Sequence, residues 1–146
     1  VKTTWILSAH RGGATLFAHH GRGPLTLVRE LDHPEGRRRD RELGDDAPGR
    51  SYESGSSQRS TLGTDRSPTR DLAAGFARSL AEMLAREHAE GAFGQLVLMA
   101  EPRFLGLLRE ALDARTAGSV LGSIAKELPH PTAESIRPHL RGLPLP

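Results

Sequence analysis

Cysteine is absent from the 146-residue chain, which excludes disulfides, thiolate nucleophiles and Cys-ligated zinc or iron–sulfur centres. A reducing, cytoplasmic compartment is the expectation that follows. Long apolar runs are missing too. Trp5-Ile6-Leu7 and Leu96-Val97-Leu98-Met99-Ala100 fall far short of the ~20 residues that cross a bilayer, and Val1-Lys2-Thr3-Thr4-Trp5 leads into no signal-peptide core. A membrane is therefore not an expected partner. Apolar side chains make up only 36% of the chain and mean hydropathy is −0.45, so a polar segment is expected to lie outside the core. Lysine is nearly absent: of 20 basic side chains only Lys2 and Lys126 are lysine. The remaining arginines, with their planar forks, either suit phosphate or reflect the composition of a GC-rich genome. Net charge is only +2.

The length fits one domain over residues 1–146 with one core. Thr4–Ala9 and Ala14–His19 are β-prone and joined at hairpin distance by Gly12-Gly13, and Leu25–Leu31 follows as a third strand. In that strand Leu25, Leu27, Arg29 and Leu31 share one face by alternation, which predicts a half-buried strand. From about Asp32 to Arg70 charges, Gly, Ser and Pro dominate, predicting a mobile polar loop at about 34–68 after strand three. Ser67 and Pro68 fit an N-cap and first helical position. Leu72, Phe76, Leu80 and Leu84 then step by four until Gly91 stops the helix. The apolar run from Gln95 to Ala100 reads as a strand covered on both faces, completing a β-α-β crossover. Phe104, Leu107, Leu108, Ala111 and Leu112 predict a second helix, and Thr132 caps a last one running through Ile136 and Leu140. Residues 118–128 fit either helix, by Val120, Ile124 and Leu128, or a short final strand, because Gly118 and Gly122 weaken a helix. The expected fold is α/β: a mixed sheet of four to five strands packed by about three helices. Leu96, Val97, Leu98, Phe76, Leu80 and Leu108 are the expected core between central strand and helices.

Seven histidines invite a metal reading, with His10, His19, His20 and His33 as candidates, but no His-x-x-x-His pair or other ligand spacing occurs, so no metal or cofactor is expected. Gly12-Gly13 is followed by no Gly-Lys-Ser/Thr and opens a strand, so it is a turn and not a phosphate loop. The polar loop holds the better clue. Arg37, Arg38, Arg39 and Arg41 precede Gly49-Arg50, and Ser54-Gly55-Ser56-Ser57-Gln58-Arg59-Ser60 forms a small-residue tip flanked by guanidiniums. Glu35, Asp40, Glu42, Asp45, Asp46, Glu53 and Asp65 interleave with them, so a solvated mixed-charge loop is the alternative to a phosphate-tracking one.

In order and spacing, Trp5-Ile6-Leu7, Ala14-Thr15-Leu16-Phe17, Gly49-Arg50, the stretch Leu96 to Arg109, Lys126-Glu127-Leu128 and His130-Pro131 resemble the bacterial host-attachment proteins over nearly the full length. That family in turn resembles the middle domain of archaeal and eukaryotic class-1 translation release factors. The resemblance implies an α/β domain whose long loop after strand three carries a Gly-Gly-Gln tip that promotes hydrolysis of the peptidyl-tRNA ester. Here the corresponding place holds Gly55-Ser56-Ser57-Gln58. The implied catalytic candidate is Gln58, and the implied RNA contacts are Arg37, Arg38, Arg39, Arg50 and Arg59. Ser56 and Ser57 replace the glycine whose φ > 0 would allow close approach, so the expectation is a codon-independent module associated with ribosome, tRNA or other RNA and without strong catalytic activity. The alternative is a non-enzymatic protein-interaction factor that affects host attachment indirectly.

Overall fold

A computed structural model describes residues 3–10, 12–33 and 68–145. They form β1 (Thr4–His10), β2 (Gly13–His19), β3 (Thr26–Asp32), α1 (Pro68–Ala89), β4 (Gln95–Ala100), α2 (Pro102–Ala111), α3 (Ala114–Gly118), β5 (Val120–Ala125), α4 (Ala133–Ile136) and a 3-10 turn (Arg137–Leu140). The strands make one mixed sheet in the order β3-β2-β1-β4-β5. β1-β2 and β2-β3 are antiparallel, while β1-β4 and β4-β5 are parallel, so an opening meander is followed by a crossover through α1.

Thr4 to Ala9 and Leu96 to Ala100 are buried without a break. A strand paired on both edges and covered on both faces has no solvent side, which is why β4 reads Leu-Val-Leu-Met-Ala with no polar alternation. The pleat still divides these side chains between two layers. Trp5, Leu7, Leu16, Leu96 and Leu98 join Phe76, Leu80, Met83 and Leu84 of α1 and Leu105 and Leu108 of α2. Ile6, Phe17, Val97 and Met99 pack instead against Leu25, Ile136 and Leu140, with Leu143 and Leu145 beside them. Trp5 stacks on Phe93 at 4.8 Å, closing the first layer at its lower end.

The four-residue step of Leu72, Phe76, Leu80 and Leu84 lays one face of α1 on the sheet. At 22 residues this helix is about 33 Å long. It stops where expected: Gly91 takes φ 82°, its amide donates to the His88 carbonyl at 3.0 Å, and the Ala92 amide donates to the Glu87 carbonyl at 3.0 Å. Those two bonds satisfy carbonyls the helix leaves open. The cover on the other face is slighter. The Thr132 hydroxyl accepts from the Ser135 amide at 3.0 Å while the Ser135 hydroxyl accepts from the Thr132 amide at 2.8 Å, so a reciprocal cap starts α4. Pro138, which has no N–H, then falls in the turn that tightens to 3-10 geometry.

Several local expectations are corrected. The register shifts between Leu16 and Phe17, so Leu27 pairs with Phe17 and Arg29 with Leu16, and Val28 is the extra residue. A bulge reverses the alternation. Leu27 therefore lies on the face of Phe17 and stands 58% exposed, whereas Arg29 and Leu31 share the face of Leu16. The strand is exposed except at Leu31, and Leu25 is buried ahead of it. Arg29 reaches Glu87 of α1 at 3.4 Å. Val97, expected under the helices, is on the opposite face. Within α2 the buried residues are Leu105 and Leu108, and Leu112 is the C-cap. Residues 118–128, open between helix and strand, hold the end of α3 and then the strand β5, and the described residues form four α-helices in agreement with the expected α/β fold. Asp113 caps α3 by accepting from the Thr116 amide at 3.1 Å. Hydrogen bonding from Thr116 holds the Asp113 carboxyl below its ordinary 3.8 against a smaller opposing effect of desolvation.

Leu98 is fully buried between sheet and helices, so Leu98→Ala costs ~2–5 kcal/mol in urea denaturation. Leu27→Ala, on the exposed side of the bulge, changes stability by less than about 0.5 kcal/mol. An equal loss in both variants would contradict the register. A depressed carboxyl pKa favours the fold above the unfolded value, and that contribution fades as pH falls through the folded one. NMR titration therefore finds the Asp113 midpoint below 3.8.

Candidate functional site

Strands β1, β3, β4 and β5 run in one direction, since two antiparallel steps through β2 return β3 to the direction of β1. Their C-terminal ends share one edge of the sheet, the edge at which open α/β sheets hold ligands. His10 and Asp32 end β1 and β3, and Glu101 and Lys126 follow β4 and β5. At this edge the chain passes from His33 into segment 34–67. It re-enters at Pro68, because α1 must run back toward the start of β4, where the Gly94 amide donates to the Thr3 carbonyl at 2.9 Å.

Two local devices fix the edge. The His33 amide donates to the Gly12 carbonyl at 2.9 Å, and its ring lies on Phe76 of α1 with centroids 4.1 Å apart and planes 3° from parallel. Phe76 in turn meets Phe104 of α2 at 5.8 Å. One aromatic file thus ties the end of β3 to both helices. The second device is Glu101, whose Oε1 accepts from the Arg103 amide at 2.5 Å and from the Phe104 amide at 3.1 Å. With those donors taken by its own N-cap, α2 has less to offer an external anion.

Of the sequence candidates, Arg37, Arg38, Arg39, Arg50, Gln58 and Arg59 lie outside the described residues, as does the expected loop at 34–67; Pro68 already belongs to α1. His10 and His33 stand at the shared edge. His19 and His20 stand at the opposite end of the sheet: His19 Nδ1 accepts from the Gly21 amide, and the His20 ring lies between the hydroxyls of Thr3 and Thr26, each contact 3.4 Å. Among the described residues no three His, Asp or Glu side chains gather into a metal site. Ser8, near the same edge, is fully buried and its hydroxyl has no hydrogen-bond partner, so it has neither the base nor the access that a nucleophile needs. Among the described residues no helix is long and apolar enough to cross a membrane.

The stack of His33, Phe76 and Phe104 is the feature that sequence reasoning missed. His33 was legible only as a candidate metal ligand, because its partner lies far along the chain beyond the polar segment. Removing the Glu101 side chain frees two helix amides, so Glu101→Ala costs about 1 kcal/mol in urea denaturation while Glu101→Asp keeps part of the cap. No loss in the alanine variant would show that solvent replaces the carboxylate.

The family described as "Protein required for attachment to host cells" matches this chain over residues 5–140. No curated protein matches it. Among solved structures, one described only as an archaeal protein is similar with a TM-score of 0.50 at 11% identity, covering 96% of this chain and 33% of its own. A crystal structure of an archaeal translation termination factor is similar with a TM-score of 0.46 at 14% identity, covering 86% of this chain and 30% of its own. The chain thus spans about a third of the length of these solved chains.

Proposed function

We propose, from the premise that this chain belongs to the family of proteins required for attachment to host cells, that it is a release-factor-like module which associates with ribosomal or other RNA without reading codons and without strong catalytic activity. The observation that carries the reading is topological. Both ends of the arginine-bearing segment 34–67 belong to the edge where four strands end, and the aromatic file at His33 fixes the point from which that segment departs. The described chain leaves at His33 and resumes at Pro68 on that side of the sheet, and the arginines lie in the sequence between them. Arg37, Arg38, Arg39, Arg50 and Arg59 are the proposed phosphate contacts. Gln58 is the residue that would orient a water toward an ester, and the flanking Ser56 and Ser57 restrict the backbone approach such a step needs. Any turnover would therefore be slow peptidyl-tRNA ester hydrolysis.

The second reading is a protein-interaction factor that influences host attachment indirectly. It is favoured by the segment's balance of seven arginines against seven acidic residues, which lowers its net attraction to phosphate.

Co-sedimentation with ribosomes over a salt series separates the two. Under the RNA reading, affinity falls steeply with salt, and replacing Arg37, Arg38 and Arg39 with Gln lowers the log–log slope by roughly 0.7 for each phosphate no longer neutralised. Gln58→Ala leaves binding unchanged. Absence of ribosome or RNA binding at low salt, or binding indifferent to salt, refutes the RNA reading and leaves the protein partner.

A further inference from the structure

The cover on the second face of the sheet is attached differently from the rest of the fold. Among the described residues, every hydrogen bond made by residues 129–145 goes to another residue of the same stretch. Thr132 and Ser135 bond each other, the Ile136 and Arg137 amides donate to the Thr132 and Ala133 carbonyls, and the Arg141, Leu143 and Leu145 amides donate to the carbonyls of Pro138, Leu140 and Leu143. None of these bonds reaches the sheet. The exposed Glu134, Arg137 and Arg141 form no ion pair among the described residues. Side-chain packing is what holds the stretch, through the buried Ile136 and Leu140 and the partly buried Leu143. Leu143 stands over Gly122, where a Cβ would come within 2.7 Å of its Cδ2, and Gly122 is the neighbour of Val97 in the ladder. The connection from β5 adds no ladder bond at Pro129 or Pro131, since proline has no N–H.

The sheet, for its part, completes its own bonding without this stretch. β1 is paired along both sides by β2 and β4, and β4 by β1 and β5. The layer beneath α1 and α2 includes no residue beyond Val120. A stretch bonded only to itself, and joined to its neighbours by apolar contact alone, is the kind that opens below the free energy of global unfolding. We propose that residues 129–145 are a strap that opens as one piece from a sheet that stays folded, uncovering Ile6, Phe17, Val97 and Met99. Opening breaks no ladder bond, and the reciprocal cap of Thr132 and Ser135 travels with the strap. Leu7, Leu80, Leu98 and Leu108 stay covered throughout. The folded protein therefore has a closed state, with its second face sealed, and an open one that presents that face to solvent.

Because the chain has no cysteine, one introduced thiol reports on one buried position. Val97 and Ala100 both lie in β4 and are fully buried, Val97 in the layer under the strap and Ala100 in the layer under the helices. In native buffer Val97→Cys reacts with the thiol reagent DTNB at least about tenfold faster than Ala100→Cys. Its rate also rises less steeply with added urea, because the open state exposes less surface than the unfolded one. Leu80→Ala weakens the helix layer in the closed and open states alike, so it speeds labelling of Ala100→Cys and leaves that of Val97→Cys unchanged. Leu140→Ala speeds labelling of Val97→Cys. Native-state hydrogen exchange of the parent chain gives the same order without a substitution: the Ile136 and Leu143 amides exchange ahead of the amides of β4. Equal labelling rates with equal urea dependence, or a Val97→Cys rate that follows Leu80→Ala, overturns the proposal. So does hydrogen exchange in which the strap amides open only together with the sheet.

Discussion

The structure depends on the enclosure of β1. Every residue from Thr4 to Ala9 is buried, so each backbone amide and carbonyl must be met by a neighbouring strand. β2 meets one side at once through a tight hairpin. On its other side β2 is met by β3, so closely that a Cβ on Gly13 would lie 2.0 Å from the Leu31 carbonyl oxygen. With β2 along one side of β1, the other can be met only by a strand arriving from far along the chain, and β4 arrives parallel. A parallel partner needs a crossover, and the crossover has to lie on one face of the sheet. The position of α1, the burial of β4 and the gathering of four strand ends at one edge all follow from filling the second side of β1.

The same enclosure separates support from function. The layer of α1 and α2 is held by leucine, phenylalanine and methionine, while the edge above it carries the charged and imidazole side chains. Its aromatic file sits at His33, where the described chain leaves β3. His33 there serves geometry, holding the departure of the chain against two helices, and Glu101 serves the helix that follows it.

Legibility in the sequence followed how local each signal was. The four-residue step of α1 and its stop at Gly91, the unbroken apolar run of β4, and the Thr132 cap are written in neighbouring residues, and the structure has them there. The crossover topology was legible because a meander followed by helix and strand leaves few alternatives, and the family match agrees with the resemblance read from Trp5-Ile6-Leu7 through His130-Pro131. The face of β3 was misread because a bulge is set by its partner strand: nothing in Leu27-Val28-Arg29 says that two residues will oppose one. Val97 was assigned to the wrong layer because a strand covered on both faces has no polar residue to mark which side is which. The ambiguity at 118–128 was real in the sequence, since Gly118 ends a helix and Gly122 opens room for Leu143, a neighbour that arrives only after the tail has folded back. The candidates Arg37 to Arg59 and Gln58 lie outside the described residues, so their reading rests on the sequence and on the edge from which their segment departs.

The two faces of the sheet are covered from different stretches of the chain, and this sets an order on biosynthesis. α1 and α2 precede β5, so a polypeptide made from its N-terminus can close the Trp5, Leu7 and Leu98 layer by the time residue 111 has appeared. Among the described residues, Ile6, Phe17, Val97 and Met99 have only Leu25, Leu121, Ile124 and Leu128 beside them until residues 133–145 bring Ile136, Leu140, Leu143 and Leu145. During that interval the nascent chain presents a half-sealed sheet, the kind of surface that chaperones hold and that aggregates when they do not. The last stretch of this fold is thus a completion signal: until it is translated, one side of the protein remains adhesive.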